Sequence, residues 1–414
     1  MDKDIKFNVI IPTRERADTL VHCLRTVVAQ DYQNLNIIVS DNFSQDHTRD
    51  VVTSFSDDRI QYINTGRRLS MSHNWEFALN HVTDGWVMFL GDDDGLYPWA
   101  LQTLNSLIQA HDVEAVSSTS GSFQWPGHFP DSLQGRLIIP MSNSASVKDS
   151  RAELERVFSG QSTYPNLPWL YHGGAASLAL INRARDQHGR FFCSQIPDLY
   201  SAVALASIAG KYLSIGTPIT IDGASKHSTG ASQMRSLLGG EDQPILRFKS
   251  EDNIPFHETL IIGKSLQIML YESYLQSWHV HHGTLGISLN DQLRVAMKTA
   301  PLTRLKTIRE ECRMIAERNG LPFVDNGIIW RYRLQRLPLA AKRESWDFKV
   351  DPVRLGILNI YDATVASAYI YKFIRQSTFR YTIVLPQTLN IIRWVILKIR
   401  SIAGGFWRTE NTAQ

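Results

Sequence analysis

Three polar clusters near the start of the chain hold side chains that could do chemistry together: Pro12–Arg16, Asp41–Asp46 and Asp92–Asp94. Each directly follows a short apolar run, Phe7–Ile11, Ile37–Ser40 and Trp86–Leu90. If these runs are parallel strands, the clusters share the rim beyond the strands' carboxyl ends, where open α/β sheets bind ligands. Asp41, Asp92, Asp93 and Asp94 then gather along that rim. Like charges held so close are costly unless a cation or ligand answers them. Hard oxygen donors that leave positions free for phosphate suit Mg2+ or Mn2+. Neither G-x-G-x-x-G after the first strand nor G-x-x-x-x-G-K-[ST] occurs. A dinucleotide-binding Rossmann domain and a P-loop NTPase are therefore disfavoured, and phosphate handling falls to a metal.

The elements that position these clusters alternate. Leu20, Cys23, Leu24, Val27 and Val28 recur at helical spacing after Asp18, a candidate cap. Ile60–Ile63 predicts a third strand, and Met71, Trp75, Ala78, Leu79 and Val82 a helix. Pro98 stands where a further helix can begin. The alternation predicts an α/β fold: a mixed, mostly parallel sheet with helices on both faces. Residues 121–170 read as irregular, Ser177–Ile181 and Thr217–Ile221 as strands, and Asp198–Ala209 as a helix. Beyond Gln233 the pattern turns helical, over Glu258–Trp278, Asp291–Lys298 and Arg304–Arg318. The expected organisation is a first domain over 1–235, a helical domain over 236–378 and a basic amphipathic tail over 379–414.

The succession NVIIPTRERADTL, NIIVSDNFSQDHT and WVMFLGDDDGLYP resembles glycosyltransferase family 2, which has the GT-A fold. The resemblance covers roughly residues 6–120, with fainter likeness to about 235. It implies an inverting sugar transfer from a nucleotide-diphosphate sugar, a UDP-sugar being favoured. On that basis Pro12, Thr13 and Asp41 line base and ribose; a carboxylate can accept from a uracil N–H. Glu15 stands where many members carry Asn, with Arg16 beside it. The stretch Gly66–Asn74 matches the family's segment near the base and offers Arg67, Arg68 and Asn74. Asp92 and Asp93 fit ribose and metal contact, and Asp94 the final carboxylate of the cluster. Many members carry Asp where this chain has Gly91, so which of Asp92–Asp94 touches the metal stays open. The metal would neutralise the departing diphosphate. Asp198, in IPDLY, matches the family's general base in the first turn of a helix, where the dipole favours the charged form. His227, after the last strand, is the counterpart of a third metal ligand in some GT-A enzymes. The bland alternatives are a solvated loop for Asp92–Asp94, an Asx turn for Asp41, a cap for Asp198, and surface loops for His227 and the His279, His281, His282 group.

Composition sets outer limits. The net charge of +3 gives no case for nucleic acid. Three dispersed cysteines, Cys23, Cys193 and Cys312, suggest neither a disulfide framework nor a zinc site and fit a reducing compartment. With no secretory signal pattern and no apolar run long enough to span a bilayer, a cytoplasmic location is expected. From Lys372 onward seven Lys and Arg side chains face one Glu. Ile391, Ile392, Val395, Ile396, Ile399 and Ile402 form one helical face there, with Arg393 and Arg400 opposite. Such a helix suits an anionic membrane surface at the inner face of the cell membrane, or packing on the chain's own core. A membrane contact would suit a glycan or lipid-linked acceptor in cell-surface polysaccharide synthesis. The competing readings are a catalytically silent scaffold of an assembly complex and a nucleotidyl transferase; the latter lacks its usual glycine-rich loop.

Overall fold

The computed structural model describes residues 4–126, 136–226, 228, 254–323, 347–353 and 355–376 of the chain. Four strands form its first half: β1 (Phe7–Thr13), β2 (Leu35–Asp41), β3 (Ile60–Asn64) and β4 (Trp86–Phe89). They lie in the order β4-β1-β2-β3, all parallel. Alternate side chains of β1 point to opposite faces, as the period of a strand requires. Phe7, Val9 and Ile11 enter one apolar cluster with Leu20, Leu24 and Val27 of α1 (Ala17–Val28), whereas Ile10 enters another with Trp75 and Leu79 of α3 (Met71–Leu79). Both faces of the sheet are thus covered. α2 (Thr48–Thr53) lies between β2 and β3.

The sheet continues beyond β4 with mixed direction to eleven strands. β5 (Gly95–Leu96) precedes α4 (Ala100–Ala110), and β6 (Ala115–Gln124) is followed by β7 (Leu137–Pro140), β8 (Ala145–Asp149) and α5 (Ser150–Phe158). The stretch expected to be irregular therefore holds strands and a helix; the serines and the glycine of β6 blur its alternation. β9 (Ala175–Ser177) runs antiparallel between β4 and β6. The strand expected over Ser177–Ile181 stops at Ser177, whose Oγ accepts the Leu180 N–H at 3.2 Å and caps α6 (Leu178–Arg183). α7 (Pro197–Ile208) leads to β10 (Lys211–Ala224), parallel to β6. Most paired residues of the sheet lie in parallel ladders, in agreement with the expected fold class.

A helical region follows: α8 (Leu266–Gln276), α9 (Trp278–His281), α10 (Leu289–Thr299) and α11 (Leu305–Arg318). Its core is joined to the sheet through α7. Leu199, Ala202 and Val203 of α7 pack among the helices, while Tyr200, Ala204 and Leu205 pack on the sheet. The chain then returns to the sheet. β11 (Asp347–Val350) pairs with β7, and α12 (Ile360–Gln376) lays Ile360, Ala363 and Tyr371 against Tyr97, Phe123 and Ile139. Among the described residues no helix is long and apolar enough to cross a membrane.

Candidate active site

The loops after β1 and β4 meet because these strands are neighbours, with Ile10 opposite Phe89. Thr13, Glu15 and Arg16 thereby stand beside Asp92–Asp94 on the floor of one cleft of about 1800 Å³. Asn74 from α3 and Asp198 from α7 line the same cleft, as does Pro12. The acidic triplet is no solvated loop: Asp92, Asp93 and Asp94 are 1%, 4% and 2% exposed. Each is held differently. Arg16 Nη1 donates to Asp92 Oδ1 at 2.9 Å, leaving Asp92 Oδ2 buried without a hydrogen bond. Asp93 Oδ2 accepts from the hydroxyls of Ser225, at 2.7 Å, and Ser228. Asp94 Oδ1 accepts the Gly223 N–H at 2.6 Å and its Oδ2 the Gly91 N–H at 3.1 Å. Thr13 Oγ1 is a second buried atom short of a well-formed hydrogen bond; its hydroxyl lies near enough to the Asp92 carboxylate to favour the charged form.

Glycine is required at two of these contacts. A Cβ on Gly223 would stand 1.7 Å from the Asp93 carbonyl oxygen. One on Gly91 would meet the Tyr171 hydroxyl at 2.5 Å and Asp94 Oδ2 at 2.6 Å. The side-chain space at position 91, where the resembled family often has Asp, is thus filled by the phenol of Tyr171.

Charge is unbalanced on this floor. Glu15, Asp92, Asp93, Asp94, Asp198 and Asp222 stand against Arg14, Arg16 and His172. Burial raises the Asp92 carboxyl above its ordinary range although Arg16 opposes this. Burial, with Asp93 and Asp222, pushes Asp94 up to about 7 against the pull of His172 and the Gly223 N–H. Burial works against the charge of His172, but the ion pair with Asp222 and the field of Asp94 outweigh it and raise the imidazole to about 9. For Arg16 burial is likewise outweighed, by Asp92 and Asp93, and its pKa rises.

Asp198 is the second residue of α7; Ile196, not Asp198, occupies the cap position. Burial dominates and raises the Asp198 pKa, although the Leu199 N–H and His172 act to lower it. Asp18 does not cap α1 either: Asp46 Oδ2 accepts the Ala17 N–H at 3.0 Å, and Asp18 pairs with Lys226 at 3.0 Å.

Asp41 is placed otherwise. Its carboxylate accepts from Tyr62 Oη at 2.6 Å, Asn64 Nδ2 at 3.0 Å and the Ser44 N–H at 2.9 Å. It is not among the residues lining the cleft. It acts on the cleft through a relay, since Ser44 Oγ accepts the Glu15 N–H at 2.9 Å. Glu15, at a φ of 54°, pairs with Arg68 at 2.7 Å, while Arg67 is exposed away from the cleft lining. Asn74 accepts from Ser40 Oγ at 2.8 Å. His227 lies outside the described residues. His281 is buried and stacked on Tyr274, and His282 ends α9 at a φ of 48°.

Sequence reasoning missed His172 and Tyr171. They lie in the turn before β9, and His172 is stacked on Trp169 with a φ of 48°. A histidine immediately before the Gly173-Gly174 pair was the only signal in the chain.

The model of glycosyl transferase family 2 matches residues 8–183, the span that carries nearly all of β1, β2 to β9, the acidic triplet and His172. The match covers residues 8–183 alone, less than half of the 414 residues. Among curated relatives, the chain is 38% identical over 102 residues to GalNAc(5)-diNAcBac-PP-undecaprenol beta-1,3-glucosyltransferase of Campylobacter jejuni, covering 24% of this chain and 33% of the relative. It is 25% identical over 137 residues to UDP-Glc:alpha-D-GlcNAc-diphosphoundecaprenol beta-1,3-glucosyltransferase WfgD of Escherichia coli, covering 33% of this chain and 52% of the relative. The chain thus spans a third to about half of the length of these two proteins. Of the solved structures, S. aureus TarS superposes with a TM-score of 0.43 at 13% identity, over 76% of this chain and 53% of that one. The matched span ends before α7, so Asp198 and the helical wall of the cleft lie outside it.

Proposed function

We propose that this chain is an inverting, metal-dependent glycosyltransferase. It would move a sugar from a nucleotide-diphosphate donor, a UDP-sugar by preference, to a lipid-linked saccharide of a cell-surface glycan. The observation that carries the proposal is the cleft that gathers buried Asp92–Asp94, with Arg16 paired to Asp92, together with Asp198. An excess of buried carboxylates over cations calls for a bound cation.

The donor set fits Mg2+ or Mn2+. Asp92 offers an unpartnered Oδ2, and the serine contacts of Asp93 all fall on its Oδ2. Among the described residues no three His, Cys, Asp or Glu side chains are arranged to hold a metal by themselves. A hard cation of this kind is commonly bound by one or two carboxylates plus substrate phosphates. When bound, the cation would supply Lewis-acid neutralisation of the diphosphate. In this proposal Asp94 ties the cluster to β10 and completes the metal's surroundings with His227. Arg16 fixes the Asp92 carboxylate. Pro12, Thr13, Glu15 and Asn74 bound the nucleotide, with Asp41 positioning Glu15 through Ser44; Arg67, away from the lining, takes no part in it. Asp198 accepts the proton of the acceptor hydroxyl, and its raised pKa brings it nearer the working pH of a general base. His172 places a fixed positive charge between Asp94 and Asp198. Residues 379–414, outside the described residues, are proposed as the contact with an anionic membrane.

Nucleotide release from a panel of nucleotide sugars, with Mn2+ or Mg2+ and with a polyprenyl-diphosphate-linked saccharide, tests the proposal. Metal-dependent release from one donor, accelerated by acceptor, is expected. No release from any donor under these conditions would favour the scaffold reading.

A further inference from the structure

The cleft has two unlike sides. Its floor is the carboxylate set; its opposite wall comes from the helical region and includes Ile254, Ile262, Leu266, Met269 and Ile308. Ile262 and Leu266 of this lining stand out into solvent, 63% and 51% exposed, and Leu302, next to the lining in the chain, is 71% exposed. Leu302 follows Pro301 and lies two residues before Arg304, both of which line the cleft. These side chains are presented by a pinned backbone. Both carboxylate oxygens of Glu311 on α11 accept the Lys264 N–H, at 2.9 and 3.0 Å. Ser265 Oγ accepts the Ile268 N–H at 3.4 Å and caps α8. Exposed aliphatics held in place beside a cleft mark a binding surface more than a chance arrangement.

Charge says what the surface takes. Lys264 and Arg304 line this wall, and neither has an ion-pair partner among the described residues. An anionic headgroup is repelled by the acidic floor and attracted to these two side chains. Asp198 lies at the seam, because α7 packs Leu199 into the helical core and Tyr200 into the core under the sheet.

Resting on the transferase reading above, we propose that the wall is the acceptor's lipid subsite and that it takes a polyprenyl-diphosphate-linked saccharide. The first isoprene units lie on Ile262, Leu266 and Leu302. The diphosphate sits between Lys264 and Arg304, and the terminal sugar reaches across the seam to Asp198. The donor and the acceptor lipid thus approach from opposite sides of the cleft.

Direct binding tests this without requiring turnover. The full chain is titrated with a long-chain polyprenyl diphosphate and with a short alkyl diphosphate, both below their micellar concentrations. The wild type is expected to bind the long chain more tightly. The double variant Ile262→Ser/Leu266→Ser should weaken long-chain binding by about tenfold or more, as the loss of aliphatic contact area requires, and change short-chain binding by less than about twofold. Arg304→Ala should weaken both ligands together. The melting temperature of each variant checks that it is folded, and Leu302→Ser gives a second reading of the surface from a separate element. Equal affinity of wild type and variants for the long chain would overturn the proposal. So would variants that lose only vesicle binding, which would mark the surface as a bilayer contact. A wild type that binds the long chain through these residues but transfers no sugar would leave this site standing and remove the transferase reading instead.

Discussion

Two strand ends flank β1, and their carboxylates are handled in opposite ways. At the end of β2, Asp41 is 1% exposed and its oxygens take three donors, from Tyr62, Asn64 and Ser44. At the end of β4, the acidic triplet is equally buried, yet Asp92 Oδ2 has no hydrogen bond and burial raises Asp92 and Asp94 toward their neutral forms. A buried carboxylate with all its partners stabilises a loop. One left short of partners is costly on its own and favours a ligand that can answer it. The same residue type, at equivalent places in the fold, thus marks a support in one case and a candidate site in the other.

The largest effect expected is at Asp198. Asp198→Asn keeps the shape of the side chain and removes the proton acceptor, so turnover should fall by roughly 10²–10⁴ while donor affinity stays as it was. Unchanged turnover would send the search for a base to Asp222, the partner of His172. Next, Gly91→Ala would drive a methyl against the Tyr171 hydroxyl and Asp94. Such overpacking costs about 1–3 kcal/mol, and removing the hydroxyl in Gly91→Ala/Tyr171→Phe should recover part of it in a denaturant melt, the Asp94 contact remaining. A double variant no more stable than the single one would separate Tyr171 from the cluster.

Asp41→Ala sharpens the contrast directly. Loss of its three hydrogen bonds should lower unfolding free energy by about 1–3 kcal/mol, with weaker nucleotide binding following from the loosened Ser44–Glu15 contact. Full stability combined with lost nucleotide affinity would move Asp41 into direct ligand contact. The smallest effect belongs to Asp57, away from the cleft. Its hydrogen bonds to Arg59 lower its pKa against the effect of burial. A depressed folded pKa contributes stability above the unfolded value of about 3.9, lost as pH falls through the folded value. Asp57→Ala should therefore cost within about 1 kcal/mol near neutrality, and the difference from wild type should vanish on strong acidification.

Much of this was legible in the chain. Apolar runs ended by polar clusters gave β1, β2 and β4, and their order placed Thr13, Arg16 and Asp92–Asp94 together. The partners that complete the floor were not legible, because they come from afar. Gly223 and Ser225 lie at the end of β10 and just beyond it, and Tyr171 and His172 precede β9. Asp41 shows the other limit. Spacing puts a carboxylate at a strand end, but only the neighbouring Tyr62 and Asn64 decide whether it faces the cleft. The strands within residues 121–170 escaped for a local reason, since β8 is exposed throughout and presents no alternation to read.

The central claim is that the β4 carboxylates, through Asp92, form the metal and diphosphate site. Asp92→Asn is the variant of choice because its Oδ1 can still accept from Arg16 while the unpartnered oxygen is replaced. The measurement is the melting temperature of wild type and variant with Mn2+ and a UDP-sugar, singly and together. The wild type should gain stability only with both, by about 2.7 kcal/mol at a hundredfold excess over Kd, and Asp92→Asn should gain almost none. An Asp92→Asn protein stabilised as strongly as wild type would contradict the account.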